Sequence, residues 1–102
     1  MARYSKKTYD AVAAAPMGML GVQFGAACVD AQIPVQVIAK WMGVSRQGVY
    51  YWFTGVTEVA EKHQTKMEEI RQLLLRALKD DALPVDDLAD AVKIIKKYRS
   101  TK

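Results

Sequence analysis

The sequence predicts an all-α fold of five or six helices. Three observations indicate it: apolar residues recur at helical steps along most of the chain, helix-start and helix-stop residues separate these repeats, and no segment alternates apolar and polar residues as a half-buried strand would. The chain has 102 residues, 51% of them hydrophobic and 25% charged, which suits one domain that folds without metals or disulfides.

Residues 1–16 form a leader with one short helix. Ser5 can cap a helix that runs through Ala15, with Tyr9 and Val12 on one side, and Pro16 then interrupts the pattern.

A second helix begins near residue 19 and ends at Ile33 and Pro34. Its apolar residues fall on one face: Leu20, Phe24, Ala27, Cys28 and Ala31. Gly21 and Gly25 weaken the helix but would let another helix approach closely. Cys28 is interpreted as a small buried apolar residue, and as the one cysteine it excludes an internal disulfide.

Two short helices follow and complete the central region, residues 17–57. The first, over 34–42, turns four residues inward: Val35, Ile38, Ala39 and Met42. Gly43 stands where that helix must stop and the backbone needs a positive φ. Ser45 is a good N-cap for the next helix, which runs to Thr54. The helix that Ser45 caps turns Val49, Trp52 and Phe53 inward. It leaves four side chains on its outer face: Arg46, Gln47, Tyr50 and Tyr51.

The C-terminal region, residues 58–102, predicts a long helix over 58–79 and a last helix over 86–99. The long helix has an apolar stripe: Val59, His63, Met67, Ile70, Leu74, Ala77 and Leu78. Leu73 and Leu75 widen it beyond what a small core covers, so both helices are predicted to form a homodimer interface. In the alternative, the last helix folds back on the long helix and the protein is a monomer.

The spacing of residues 38–52 is typical of a helix-turn-helix. Ala39 supplies the small residue needed where the two helices cross, and Gly43 supplies the turn. The other positions of this motif require apolar residues, and all of them have one: Ile38, Met42, Val44, Val49 and Trp52. In such a unit the second helix projects as a ridge that fits the major groove of B-DNA, about 12 Å wide.

On these residues, the segment 20–55 resembles the helix-turn-helix domains of phage repressors and Cro, the lambda-repressor-like superfamily. Val35 departs from that family, in which many members have a phosphate-binding glutamine here, and Pro34 removes a backbone donor. Phosphate contacts on this side are therefore expected from Gln36, Lys40 or the leader.

By position, the resemblance implies that the base-reading residues are Ser45, Arg46, Gln47 and Tyr51, with Tyr50 beside them. Arginine can pair with guanine and glutamine with adenine, and tyrosine can contact phosphates or thymine methyls. Gly48 would let the backbone lie close to DNA, or would pack against the preceding helix. The expected function is a sequence-specific, repressor-like transcriptional regulator that binds double-stranded DNA in the cytoplasm of a phage's bacterial host.

Two other functions stay open at this point. The same exposed face could make the protein an adaptor that captures a host or polymerase component, because arginine and tyrosine are also favoured at protein interfaces. An architectural DNA binder without sequence preference is a weaker alternative, against which the Arg46–Gln47 pair argues.

Net charge is +4, which favours an anionic partner. Residues 1–57 carry five basic and two acidic side chains, whereas residues 58–102 carry ten and nine. The basic residues of the leader are either a DNA-contacting arm or a solvated tail: Arg3, Lys6 and Lys7. The basic residues near the C-terminus are interpreted as a solvated helix end and not as a second DNA site: Lys93, Lys96, Lys97, Arg99 and Lys102.

Several function classes lack support in the sequence. There is no phosphate-binding glycine loop and no nucleophile–base pattern, so an enzyme is not expected. His63 is the one histidine and is interpreted as a packing residue, so neither a metal nor a cofactor is expected. No apolar run reaches the length of a membrane span, and no small-molecule pocket is evident.

Overall fold

The protein folds into six α-helices, in a computed structural model that describes residues 4–100. The helices are α1 Lys6–Ala14, α2 Leu20–Asp30, α3 Val35–Met42, α4 Arg46–Phe53, α5 Glu61–Lys79 and α6 Leu88–Ser100. None of the described residues lies in a β-strand. The predicted all-α fold of five or six helices is confirmed.

The leader is docked against the rest of the molecule from Tyr4 onward. Ser5 caps α1 as expected, since its side chain accepts a hydrogen bond from the Thr8 backbone N–H. Tyr4, just before the cap, is 6% exposed, and its hydroxyl donates to the carbonyl of Ile33. Val12 is buried where α1 packs on α2. Lys6 and Lys7 therefore stand on a fixed helix and not on a solvated tail, and Arg3 lies outside the described residues.

Close approach of α4 to α2 depends on two glycines. A Cβ atom at Gly21 would lie 2.8 Å from the carbonyl oxygen of Trp52, and one at Gly25 would lie 2.8 Å from the ring of Phe53. Real Cβ atoms do not approach other atoms so closely. The expectation that these glycines admit a neighbouring helix is confirmed, and that helix is α4.

The turn between α3 and α4 uses the two residues that the sequence indicates. Gly43 has φ 70°, a left-handed conformation that glycine adopts without strain. The N–H groups of Gly43 and Val44 both bond to the carbonyl of Ala39, which closes the end of α3. Ser45 then caps α4 by accepting a hydrogen bond from the Gly48 N–H at 3.1 Å. Both helices therefore end and begin at residues suited to those positions.

The bounds of α5 and α6 differ slightly from the expected ones. α5 begins at Glu61 and not at residue 58, because Ala60 is extended, with φ −60° and ψ 145°. Val59, which the sequence places on the apolar stripe of this helix, precedes the helix but is nevertheless buried in the core. α6 begins at Leu88, where Asp87 caps it by accepting from the Ala89 N–H at 2.8 Å.

α6 packs back on α5 of the same chain. Ala91 and Ile95 are buried there, and Leu73 and Leu74 of α5 are buried as well. Of the three consecutive leucines, Leu75 is the exposed one, at 39%. Most of the apolar surface that suggested a dimer is thus covered within the chain, which is the fold-back arrangement given above as the alternative.

The core contains no buried polar or charged residue among those described. Cys28 is fully buried, and burial raises the pKa of its thiol well above the usual value, so it packs as an apolar group. Phe53 lies between Phe24 and Tyr4, with ring centroids 6.0 and 6.5 Å away. In the described part of the chain no helix is both long enough and apolar enough to cross a membrane.

Candidate functional site

α4 has one buried face and one exposed face. Val49, Trp52 and Phe53 are buried, at 0%, 6% and 0% exposure. The outward face of α4, as we call it below, consists of Arg46, Gln47, Tyr50 and Tyr51, and all four are exposed. The opposite placement of neighbouring aromatic residues follows from the helical period, which puts residues 50 and 51 on the far side from 49, 52 and 53. The predicted division of the aromatic row is confirmed.

The side chains of the outward face are not used within the molecule. Among residues 4–100, none of the four takes part in a side-chain hydrogen bond or an ion pair. Tyr50 and Tyr51 are 39% and 41% exposed, so both rings are partly accessible to solvent. The guanidinium of Arg46, the amide of Gln47 and the two phenols are thus available to an external partner.

Ser45 and Gly48 form the first turn of α4. The Ser45 hydroxyl oxygen accepts the capping hydrogen bond, so its proton and one remaining lone pair are left for a partner. A Cβ atom at Gly48 would meet one neighbour, the Ser45 Oγ at 3.4 Å. The alternative in which Gly48 packs against α3 is therefore wrong, and this glycine faces open space.

α3 contributes a second set of exposed polar groups. Gln36 and Lys40 are both exposed and lie one turn apart on the same side of α3. Val35 is 5% exposed and belongs to the core, and Pro34 is the N-cap of the helix without a side-chain capping bond. Both phosphate contacts predicted on this helix, Gln36 and Lys40, are therefore accessible.

Tyr4 supports α4 from beneath and was not identified from the sequence. Its ring centroid lies 6.5 Å from that of Phe53. Burial, followed by the charges of Cys28, Tyr50 and Tyr9, raises the pKa of Tyr4 well above its usual value. A tyrosine ahead of a short helix belongs to no apolar repeat, so the sequence carries no periodic signal for its burial.

A second support comes from α5. The ring of His63 lies 5.5 Å from that of Trp52, tilted by 60°. His63 therefore packs against the inner side of α4, as expected from its position on the apolar stripe. No group of three or more histidine, cysteine, aspartate or glutamate side chains that could hold a metal occurs within residues 4–100.

Known proteins supply no function for this site. The chain matches no protein-family model, no curated protein and no solved structure.

Proposed function

We propose that the protein is a sequence-specific, double-stranded-DNA-binding regulator that reads the major groove with α4. The observation that supports it best is the outward face of α4. Arg46 and Gln47 begin a helix whose other side is fixed in the core by Val49, Trp52 and Phe53. These two side chains offer the donors and acceptors that match base edges, and they have no partner among the described residues.

The chemistry of each group assigns its role. Arg46 has a planar fork of donors suited to the N7 and O6 atoms of guanine, and Gln47 has a donor and an acceptor suited to adenine. Tyr50 and Tyr51 extend the same face and can donate to phosphate or contact a thymine methyl group. The Ser45 hydroxyl can donate one bond at the start of the helix.

Phosphate contacts hold such a helix in the groove. Lys40 and Gln36 supply them from α3, and Lys6 and Lys7 supply positive charge from α1. The outward face and α3 carry two cations, Arg46 and Lys40, so electrostatic affinity is modest and specificity depends on base contacts.

One α4 reads only a few base pairs, so useful specificity calls for two copies whose helices are about 34 Å apart. A homodimer through α5 and α6 stays a prediction. The exposed side of α5, including Leu75, is the surface left for it, since Leu73 and Leu74 are buried within the chain. Sedimentation of the protein with and without bound duplex measures the number of copies directly.

A binding titration on random-sequence duplex tests the proposal. We expect measurable affinity at low salt that falls moderately as salt rises, because few cations face the duplex, and enrichment of one motif when bound duplexes are selected from a random pool. Protein with no affinity for any duplex at low salt would refute the proposal. Equal affinity for all duplexes would indicate an architectural binder.

The adaptor function has one observation in its favour. Tyr50, Tyr51 and Val56 are all exposed near the C-terminal end of α4, at 39%, 41% and 65%. A cluster of exposed apolar groups is typical of protein interfaces. Loss of protein partner binding in Tyr51→Ala, without any duplex binding by the parent protein, would favour this function.

A further inference from the structure

A cavity between α5 and α6, outside the outward face of α4, has the composition of a small-molecule site. Its volume is about 240 Å³, which corresponds to the liquid volume of roughly eight waters. Ile70 and Leu73 of α5 form its floor and are 5% and 3% exposed. Because these two side chains are almost fully covered, they expose only a small apolar area to the cavity, and that area favours an apolar ligand surface over water.

Three cations surround this cavity. Lys66 and Arg76 come from α5, two turns or more apart, and Arg99 comes from the end of α6. Within the described residues, none of the three lies at ion-pair distance from a carboxylate. Glu69 is the one acidic residue of the lining, so the cavity carries a net positive charge. An anion that binds in the cavity reduces the electrostatic repulsion between these unpaired cations.

One wall of the cavity is aromatic and fixed in place. The hydroxyl of Tyr98 donates to Asp80 at 2.7 Å, which holds the ring. The guanidinium of Arg76 lies 6.0 Å from the centroid of that ring. Tyr98 thus lines the cavity with an aromatic side chain that is held by its hydroxyl, beside a guanidinium that can bond a carboxylate.

From this arrangement we infer that the cavity binds a small organic anion with a flat apolar body, of the aromatic carboxylate class. The apolar body lies on Ile70 and Leu73 beside the Tyr98 ring, and the carboxylate faces Arg76, Lys66 and Arg99. Glu69 disfavours ligands with a second negative charge nearby. The inference is independent of DNA binding, because none of these residues belongs to α3 or α4.

Benzoate and its neutral isostere benzamide are suitable probes, followed by amide shifts in two-dimensional NMR of the full chain. We expect saturable shifts with benzoate, centred on residues 66–76 and 98–99, and much weaker ones with benzamide. The variant Glu69→Gln should bind benzoate more tightly, because it removes the one opposing charge. Shifts that grow linearly without saturation, or equal binding of benzamide, would overturn the inference.

A matched pair of double variants tests the cations. Arg76→Gln with Arg99→Gln should bind benzoate about tenfold more weakly, since two exposed charge contacts are lost. The control, Lys62→Gln with Lys93→Gln, removes the same charge from exposed positions of the same two helices outside the cavity, and should bind as the parent does. Equal weakening in both double variants would show attraction by net charge alone and would contradict the site.

Discussion

Substitution of Gly21 by alanine tests the packing that holds α4 in position. The added Cβ would lie 2.8 Å from the Trp52 carbonyl oxygen, 3.0 Å from its Cβ and 3.1 Å from its Cα. Two of these atoms belong to the backbone, and Trp52 is 6% exposed. Trp52 can therefore make room for the added Cβ only if α4 moves. Overpacking of this kind costs about 1–3 kcal/mol, and the upper part of that range applies where backbone must shift.

The same substitution also has a favourable effect, which must be subtracted. Alanine is about 1 kcal/mol better than glycine inside a helix. For Gly21→Ala we therefore expect a net loss of about 1–2 kcal/mol in the free energy of unfolding, and a Tm lower by about 5–15 °C for a domain of this size.

Urea and thermal unfolding followed by far-ultraviolet circular dichroism measure this loss. Gly18→Ala is the matched control, because a Cβ there has no atom within 4 Å. It should stay within about 0.5 kcal/mol of the parent. If Gly21→Ala is as stable as the parent, α2 and α4 do not approach as closely as described, and the outward face of α4 loses its stated support.

Three further predictions concern the turn, α4 and the leader. Gly43→Val should lose about 1–3 kcal/mol of stability from the left-handed φ alone, since no atom lies near its Cβ, whereas Gly43→Asn should lose clearly less in the same urea titration. Gly48→Ala should gain up to about 1 kcal/mol in stability yet bind duplex no better, and a loss of stability would show a contact that the structure lacks. Tyr4→Phe should cost about 1–2 kcal/mol near neutral pH, through the lost bond to Ile33. The pKa of Tyr4 is raised in the folded protein, whereas in the unfolded chain it is about 10. The contribution of Tyr4 to stability is therefore complete below a pH of about 10 and is lost as the pH rises above that value. In this alkaline range the parent should lose about 1.4 kcal/mol more stability per pH unit than Tyr4→Phe. Parallel pH profiles of the two proteins would refute the burial of that phenol.

The central helices could be predicted from the sequence because their ends are chemically marked. Gly43 meets a backbone requirement that other residues meet poorly, and Ser45 supplies the capping oxygen one residue before α4. The helical period then decides which side chains point outward. The accessible groups of the candidate site, from Arg46 to Tyr51, follow from these local rules.

Other features depend on long-range packing and had no local signal. Tyr4 reaches the core through contacts with residues far along the chain, Ile33 and Phe53. The leucines of α5 suggested a partner subunit, because a sequence does not show which surface covers an apolar stripe. In the structure α2 and α6 both pack on α5, and Ala91 and Ile95 of α6 are buried. The α5–α6 cavity was missed for the same reason, since its lining comes from two helices.

The most direct test of base reading by α4 compares Arg46→Ala with Lys40→Gln on duplexes selected for binding to the parent protein. Arg46→Ala should cost about 1–3 kcal/mol and remove the preference at one base position, while Lys40→Gln should weaken all duplexes alike and reduce the salt slope by about 1. If Arg46→Ala instead weakens every duplex equally and leaves the selected motif unchanged, α4 does not read bases through this residue, and the proposed mechanism is wrong.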